Sequence, residues 1–299
     1  MSALAVRASW PGISGIKHIV IFGASYCDVG YNAKAPHPCP EQPLGVEFPG
    51  MTWCGTVDES NKFTPAPNWV GHLVEIVKEQ RGASSLLVYD YALGGDTVEG
   101  LKRQIHHDFL PHLALKPDWA PWSPEDTLFV TWVGINDCAY NGRSRAAAQT
   151  IKNGVEKLFS LQEELYAAGA RNFCWVDVPP TYDYSGGTCF AHKTCDLGPL
   201  PYLKEAVLTW NASLRESAQK FCEQHEDTTV LMWSSWKLFS QLLADPVAFG
   251  FKEEEATKAE GDIFLDGLHP TSRVHRIIAQ DMLSLLESAT FPTEEKSGA

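Results

Sequence analysis

Short apolar runs alternating with longer helix-patterned segments constrain this chain more than any other feature. His18–Phe22, Leu86–Tyr91, Thr127–Val133, Asn172–Val176 and Thr229–Trp233 are nearly continuous in apolar and β-branched residues. Parallel strands covered on both faces read this way. Between them, Pro67–Gln80 opens on Pro-Asn and stops at Gly82, and Ser144–Ala168 carries Ile151, Val155, Leu158, Leu161 and Leu165 at helical spacing before Gly169. Leu203–Gln224 and Ser272–Leu286 are patterned alike. Strand–helix alternation implies βαβ crossovers and helices on both faces of a mostly parallel sheet. The expectation is an α/β chain with one domain over 1–299, a short N-terminal extension over about 1–16 and a C-terminal tail over about 291–299.

Two irregular stretches, Asn32–Pro67 and Pro179–Pro201, follow strand ends and are rich in Pro, Gly and Thr. Loops beyond the carboxyl ends of parallel strands build the ligand crevice. The charge balance narrows the ligand: 24 Lys and Arg against 37 Asp and Glu give a formal net charge of −13. Such a surface repels polyphosphate, and no basic cluster offsets it, so nucleic acid is not an expected partner. No GxxxxGK[ST] or GxGxxG loop points to a nucleotide. No run approaches the ~20 apolar residues of a membrane span. The first residues, broken by Arg7 and Pro11, make a poor secretory signal, and the final KSGA carries no retention address, which leads to the expectation of a cytoplasmic protein.

Eight cysteines in 299 residues are too sparse for a disulfide scaffold. Cys138 and Cys174 sit at or in strand-like segments and read as buried thiols. Cys189 with Cys195, and Cys39 with Cys54, are left open as pairs, and no metal-ligand spacing occurs. The sequon Asn211-Ala212-Ser213 falls in a helical stretch.

Four segments carry chemistry. In HIVIFGASYCDVG a buried strand runs into Ser25, where a following helix N-terminus would favour a developing anion; the same serine also fits a helix cap. In FLDGLHPTS, Asp266 lies three residues before His269, within reach of orienting its imidazole as a general base; a helix cap beside a solvated histidine is the alternative. VTWVGINDCAY places the uncharged amide of Asn136 at a strand end, as an oxyanion donor or as part of an Asn-Asp turn. In YALGGDTVEG, Gly95 lets a backbone N–H approach a ligand, while Asp96 or Thr97 suits a helix cap.

Together and in this order, FGASYCDVG, GGDT, GIND and DGLHP resemble the SGNH (GDSL-like) hydrolase superfamily across Phe22 to Pro270, nearly the whole chain. The resemblance implies a three-layer α/β/α sandwich with a five-stranded, mostly parallel, flavodoxin-like sheet. It also implies a serine esterase with Ser25 as nucleophile, His269 as general base and Asp266 orienting it. The oxyanion donors would be the Ser25 and Gly95 backbone N–H groups and the Asn136 amide, with Asp28, Gly30 and Asp137 structural. Metal and cofactor are not part of that chemistry. One position departs from the family: Ala24 stands where an aspartate usually precedes the serine, so the turn loses a polar anchor.

Finer resemblance, in FPGMTW, APNWVGHL, VYDYALGGDTV and LFVTWVGINDC, is to the fungal acetylesterases of carbohydrate esterase family 16. It implies a small-molecule or oligosaccharide ester as substrate. Trp53, in the irregular loop, is the candidate to stack on a sugar, whereas Trp69 and Trp132 read as core. No apolar helix suited to a fatty-acyl lid is evident, which favours short acyl groups. An acyltransferase using the same acyl-serine, or a silent binding protein on this scaffold, stays open, as does the oligomeric state.

Overall fold

The computed structural model describes residues 2–57, 60, 62–82, 86–184, 189–192 and 195–291. Ten strands are present among them: β1 Ser2–Ala5, β2 His18–Gly23, β3 Gly55–Val57, β4 Phe63–Pro65, β5 Leu87–Asp90, β6 Thr127–Trp132, β7 Asn172–Val176, β8 Cys189–His192, β9 Cys195–Pro199 and β10 Thr229–Trp233. Six form one sheet in the order β1-β10-β7-β6-β2-β5; β3 with β4 and β8 with β9 are separate hairpins inside the two irregular stretches. The helices are α1 Trp69–Arg81, α2 Val98–Arg103, α3 Ile135–Asn141, α4 Ala147–Ala167, α5 Leu203–Gln224, α6 Ser235–Ala244 and α7 Ser272–Ser288.

The sheet corrects the five-strand expectation. Its five parallel strands are those read from the sequence, and every residue of β2, β6, β7 and β10 is buried. The sixth, β1, comes from the segment read as an extension and pairs antiparallel with β10, Ser2 opposite Met232. Four residues at a sheet edge carry neither length nor alternation enough to announce a strand.

Chain order reverses at β2, which is hydrogen-bonded to β5 on one side and β6 on the other. With right-handed crossovers, that reversal sends α1 to one face and α2, α4 and α5 to the other. The packing agrees: α1 lies against α7, while α4 packs on α5 and α3. The carboxyl end of β2 is therefore the switch point where an open α/β sheet binds its ligand, and Ser25 lies two residues beyond it.

Local chemistry fixes the boundaries that aim the site. Asn68 caps α1, its Oδ1 accepting from the N–H groups of Val70 and Gly71 at 3.0 and 3.3 Å, and Gly82 ends the helix at a φ of 68°. The helix expected after Ser25 is a single turn, with Cys27 N–H and Asp28 N–H both donating to the Ala24 carbonyl. It stops there because Gly30 takes a φ of 75° and redirects the chain. Among the described residues no helix is long and apolar enough to cross a membrane.

Cys138 and Cys174 are buried free thiols, and Cys39 and Cys54, left open as a pair, are each free. The side chains of Cys189 and Cys195 lie outside the described residues. Asn211, in α5, is turned onto the backbone of Val178, whose N–H and carbonyl it bonds at 2.8 Å each.

Candidate active site

Ser25, His269 and Asp266 form one continuous hydrogen-bonded chain. Ser25 Oγ lies 2.9 Å from His269 Nε2, and His269 Nδ1 lies 2.8 Å from Asp266 Oδ2. The loop that delivers the last two residues is folded on itself before α7 begins. Asp266 Oδ1 accepts from the N–H groups of Leu268 and His269 at 3.1 and 2.8 Å, and Gly267 supplies the positive φ, 76°, that this tight turn needs. A bridge between Phe264 and Pro270 closes the loop's base. Burial pushes the Asp266 carboxyl up, but bonds from the His269 ring and from both backbone N–H groups outweigh it and hold the carboxyl at about 2. It is thus ionised wherever the imidazole works, and an ionised acceptor at Nδ1 fixes the tautomer that leaves Nε2 free to take a proton from Ser25.

The polar anchor lost at Ala24 is replaced from elsewhere. Tyr26 OH donates to the Leu268 carbonyl at 2.5 Å, tying the serine turn directly to the histidine loop. Asn68, besides capping α1, donates from Nδ2 to the carbonyls of Cys27 and Asp28 at 2.7 and 3.1 Å. Asp28 accepts from Gly30 N–H, Gly94 N–H and Trp53 Nε1 at 2.8, 2.8 and 3.1 Å. Burial raises its carboxyl pKa, and those three bonds counter the rise. Cys27, two residues after the nucleophile candidate, offers no rival: burial pushes its thiol well above the ordinary value, so it carries no thiolate.

Gly95 and Asn136 are held to the same turn by backbone. Leu93 N–H donates to the Gly23 carbonyl at 3.2 Å, and Gly94 N–H reaches Asp28, so the loop carrying Gly95 is pinned at both steps before it. Gly95 has a φ of 84°, and a Cβ built on it meets nothing within 4 Å. Asn136 stands in the first turn of α3 rather than in an open loop, and Nδ2 donates to the Asp96 carbonyl at 2.9 Å. One amide N–H fixes the side chain, leaving a second to offer. Asp137 turns away, accepting from Val98 N–H at 3.2 Å, and burial raises its carboxyl to about 6. Neither Asp96 nor Thr97 caps α2 by side chain; Asp96 instead bonds Gln104 and Arg103.

Trp53, the candidate to stack on a sugar, stands directly beside the candidate base. Its ring stacks on the His269 imidazole, centroids 5.2 Å apart and planes 26° apart, and it covers Gly94, where an added Cβ would strike the indole. It roofs the base while remaining 38% exposed. Trp69 and Trp132 are buried. Sequence reading missed Tyr26 and Gln104 altogether, and saw Asn68 only as the start of a helix. Among the described residues no group of three or more His, Cys, Asp or Glu is placed to hold a metal ion.

His275, in α7, is 2% exposed and packs edge-on against Tyr26, ring centroids 5.9 Å apart. Burial, reinforced by the neighbouring His72 and His269, depresses its pKa from 6.5 to about 3. The unfolded chain takes up this proton below 6.5 and the folded chain does not until about 3, so stability is whole above 6.5 and is lost as pH falls through that window. At pH 5 the loss amounts to about 2 kcal/mol, at about 1.4 kcal/mol per unit. Urea unfolding of His275→Gln should show a fall between pH 7 and pH 5 that is smaller by this amount. Equal falls in both proteins would remove His275 as the cause.

A family model described as GDSL-like Lipase/Acylhydrolase matches residues 19–282. An acetylesterase from Thermothelomyces thermophilus is 25% identical over 291 residues, covering 92% of this chain and 90% of its own. A thermolabile hemolysin from Vibrio parahaemolyticus is 24% identical over 233 residues, which span 67% of this chain and 52% of the hemolysin. Among solved structures, an acetyl xylan esterase variant from Geobacillus stearothermophilus superposes with a TM-score of 0.54 at 14% identity, covering 93% of this chain and 100% of that one. An α/β hydrolase from the Lake Arreo metagenome gives 0.53 at 12% identity, covering 97% and 100%. At those identities the structures share the fold.

Proposed function

This chain belongs to the GDSL-like lipase/acylhydrolase family, and from that premise we propose that it removes short acyl groups, acetyl above all, from hydroxyls of sugars or small metabolites through an acyl-serine. It is a carboxylic ester hydrolase. The observation that carries the proposed route is the Ser25–His269–Asp266 chain, with contacts of 2.9 and 2.8 Å.

In this reading His269 Nε2 takes the Ser25 proton as Oγ attacks the ester carbonyl. The oxyanion is met by the N–H groups of Ser25 and Gly95 and by the free amide N–H of Asn136. The imidazolium then protonates the leaving alkoxide. Water, activated by the same imidazole, attacks the acyl-serine and releases the acid. Two observations support a short acyl group: the acetylesterase relative spans nearly the whole chain, and the Trp53 indole occupies space directly over His269 and Gly94.

Hydrolysis of p-nitrophenyl acetate, butyrate and octanoate tests the proposal. The expected order of kcat/KM is acetate first and octanoate last, and Asn136→Ala should lower kcat on acetate by about 10²–10³. A preference for octanoate would overturn the acyl assignment. Transfer product without free acid, when sugar acceptors are added, would overturn hydrolysis.

A further inference from the structure

Gln104 has no exposed surface and sits where α2 passes into a π-helical turn, Gln104–Phe109. Such turns are rare and concentrate at functional sites. Its side chain makes three hydrogen bonds, none to its own helix. Oε1 accepts from Gly23 N–H at 3.1 Å, and Nε2 donates to the Gly23 carbonyl at 2.8 Å and to Asp96 Oδ2 at 2.7 Å. Both amide hydrogens are thereby committed. Gly23 ends β2, two residues before Ser25, while the backbone carbonyl of Asp96 is the acceptor that fixes Asn136 Nδ2. Asp96 also directly follows Gly95. One buried amide thus spans two of the three chain segments that supply the proposed oxyanion donors, and the second of these, through the Asp96 carbonyl, holds the third.

We propose that Gln104 is a positioning residue that sets the spacing between the Ser25 turn and the Gly95–Asn136 donors. It touches neither substrate nor nucleophile and acts through Gly23 and Asp96. The proposal rests on the oxyanion reading above and deepens it. A backbone amide alone cannot do this work, because each backbone N–H offers one bond, whereas the glutamine amide grips both polar groups of Gly23 and reaches Asp96 at once. Loss of the clamp leaves the Gly23 N–H buried without an acceptor and leaves the Asp96 carboxylate to the half-exposed Arg103, with no tie to Gly23, and displacement of the donors follows. An error of about 1 Å in such a site costs up to about 10² in rate.

The test is a double-mutant cycle on p-nitrophenyl acetate with Gln104→Met, which keeps the chain length and removes all three bonds, and Asn136→Ala. Gln104→Met is expected to lower kcat by about 10–10²-fold with KM changed by less than about threefold. The double variant should fall below Asn136→Ala by clearly less than the full Gln104→Met factor, because a clamp that works in part by placing Asn136 then has only the Gly95 N–H left to place. Losses that multiply in full, or an unchanged kcat in folded Gln104→Met, would overturn the proposal. Undiminished kcat in Asn136→Ala would instead defeat the oxyanion reading itself, which separates the two failures. Should Gln104→Met not fold, Gln104→Glu answers the question. Its carboxyl can hold the Gly23 carbonyl or Asp96 only while protonated, and burial beside Asp96 favours that form. An alkaline loss of kcat absent from the wild type supports the clamp, and a wild-type pH profile overturns it.

Discussion

Ser25→Ala should lower kcat on p-nitrophenyl acetate by about 10⁴–10⁶-fold, and His269→Ala should cost as much. The reason is that the two side chains perform one act. Without Oγ no acyl-enzyme forms, and without Nε2, 2.9 Å away, Oγ keeps its proton and is a poor nucleophile. The double variant should therefore be no slower than either single one, a departure from additivity that independent contributions would not produce. Damage to the fold is a small concern for Ser25→Ala. The variant keeps every backbone bond of the turn, including those from Cys27 and Asp28 to the Ala24 carbonyl, and the tethers from Tyr26 and Asn68. What should survive is binding and the proposed oxyanion donors, which act without the nucleophile. Labelling by an organophosphonate should vanish in Ser25→Ala. Retention of more than about 1% of wild-type kcat, against the loss expected of a nucleophile, would move the nucleophile elsewhere, and buried Cys27 could not take its place.

What the sequence makes legible follows from how local the responsible contacts are. The five parallel strands are buried nearly throughout, so each is mostly apolar along its length and visible by itself. Helix α1 is bounded by residues adjacent to it, Asn68 and Gly82, and these are visible too. The β1 edge strand is not, since its only reason to be extended is β10, more than two hundred residues away. The turn after Ser25 was expected to continue as a helix because glycine and serine at a strand end suit a cap. The decision belongs instead to Gly30, with its φ of 75°, and to Asn68, which claims the carbonyls of Cys27 and Asp28.

The site divides along the same line. Asp266 and His269 are three residues apart, so their pairing is written in the sequence. The supports are not: Tyr26 reaches Leu268 across 242 positions, Gln104 reaches Gly23 across 81 and Asn68 reaches Cys27 across 41. Nothing in the spacing of a tyrosine, a glutamine or an asparagine indicates such partners. Trp53 shows the same limit from the other side. An aromatic residue in an irregular loop suits sugar stacking by composition, and nothing local announces that the fold also brings the His269 ring to one of its faces and Asp28 to its Nε1.

Asp266→Asn separates two tasks that the wild-type carboxylate performs at once. Oδ1 shapes the loop by accepting from Leu268 and His269 N–H, and Oδ2 accepts from His269 Nδ1. Asparagine keeps one oxygen, so the loop survives. The other oxygen becomes an NH₂, a donor facing Nδ1, and the imidazole must move its proton to Nε2 to accept from it. The nitrogen that should take the Ser25 proton is then already occupied. A loss in kcat of about 10⁴ is expected, with KM and thermal midpoint close to wild type. Proton linkage gives a second readout. The folded carboxyl titrates at about 2, below its ordinary 3.8, so it contributes stability above 3.8 that is lost as pH falls toward 2. Asparagine does not titrate, and that part of the acid loss should be missing from the variant. If kcat stays within about tenfold of wild type, far short of the tautomer penalty, Asp266 does no more than fold the loop, and the orientation of His269 would rest on the Trp53 ring stacked against it.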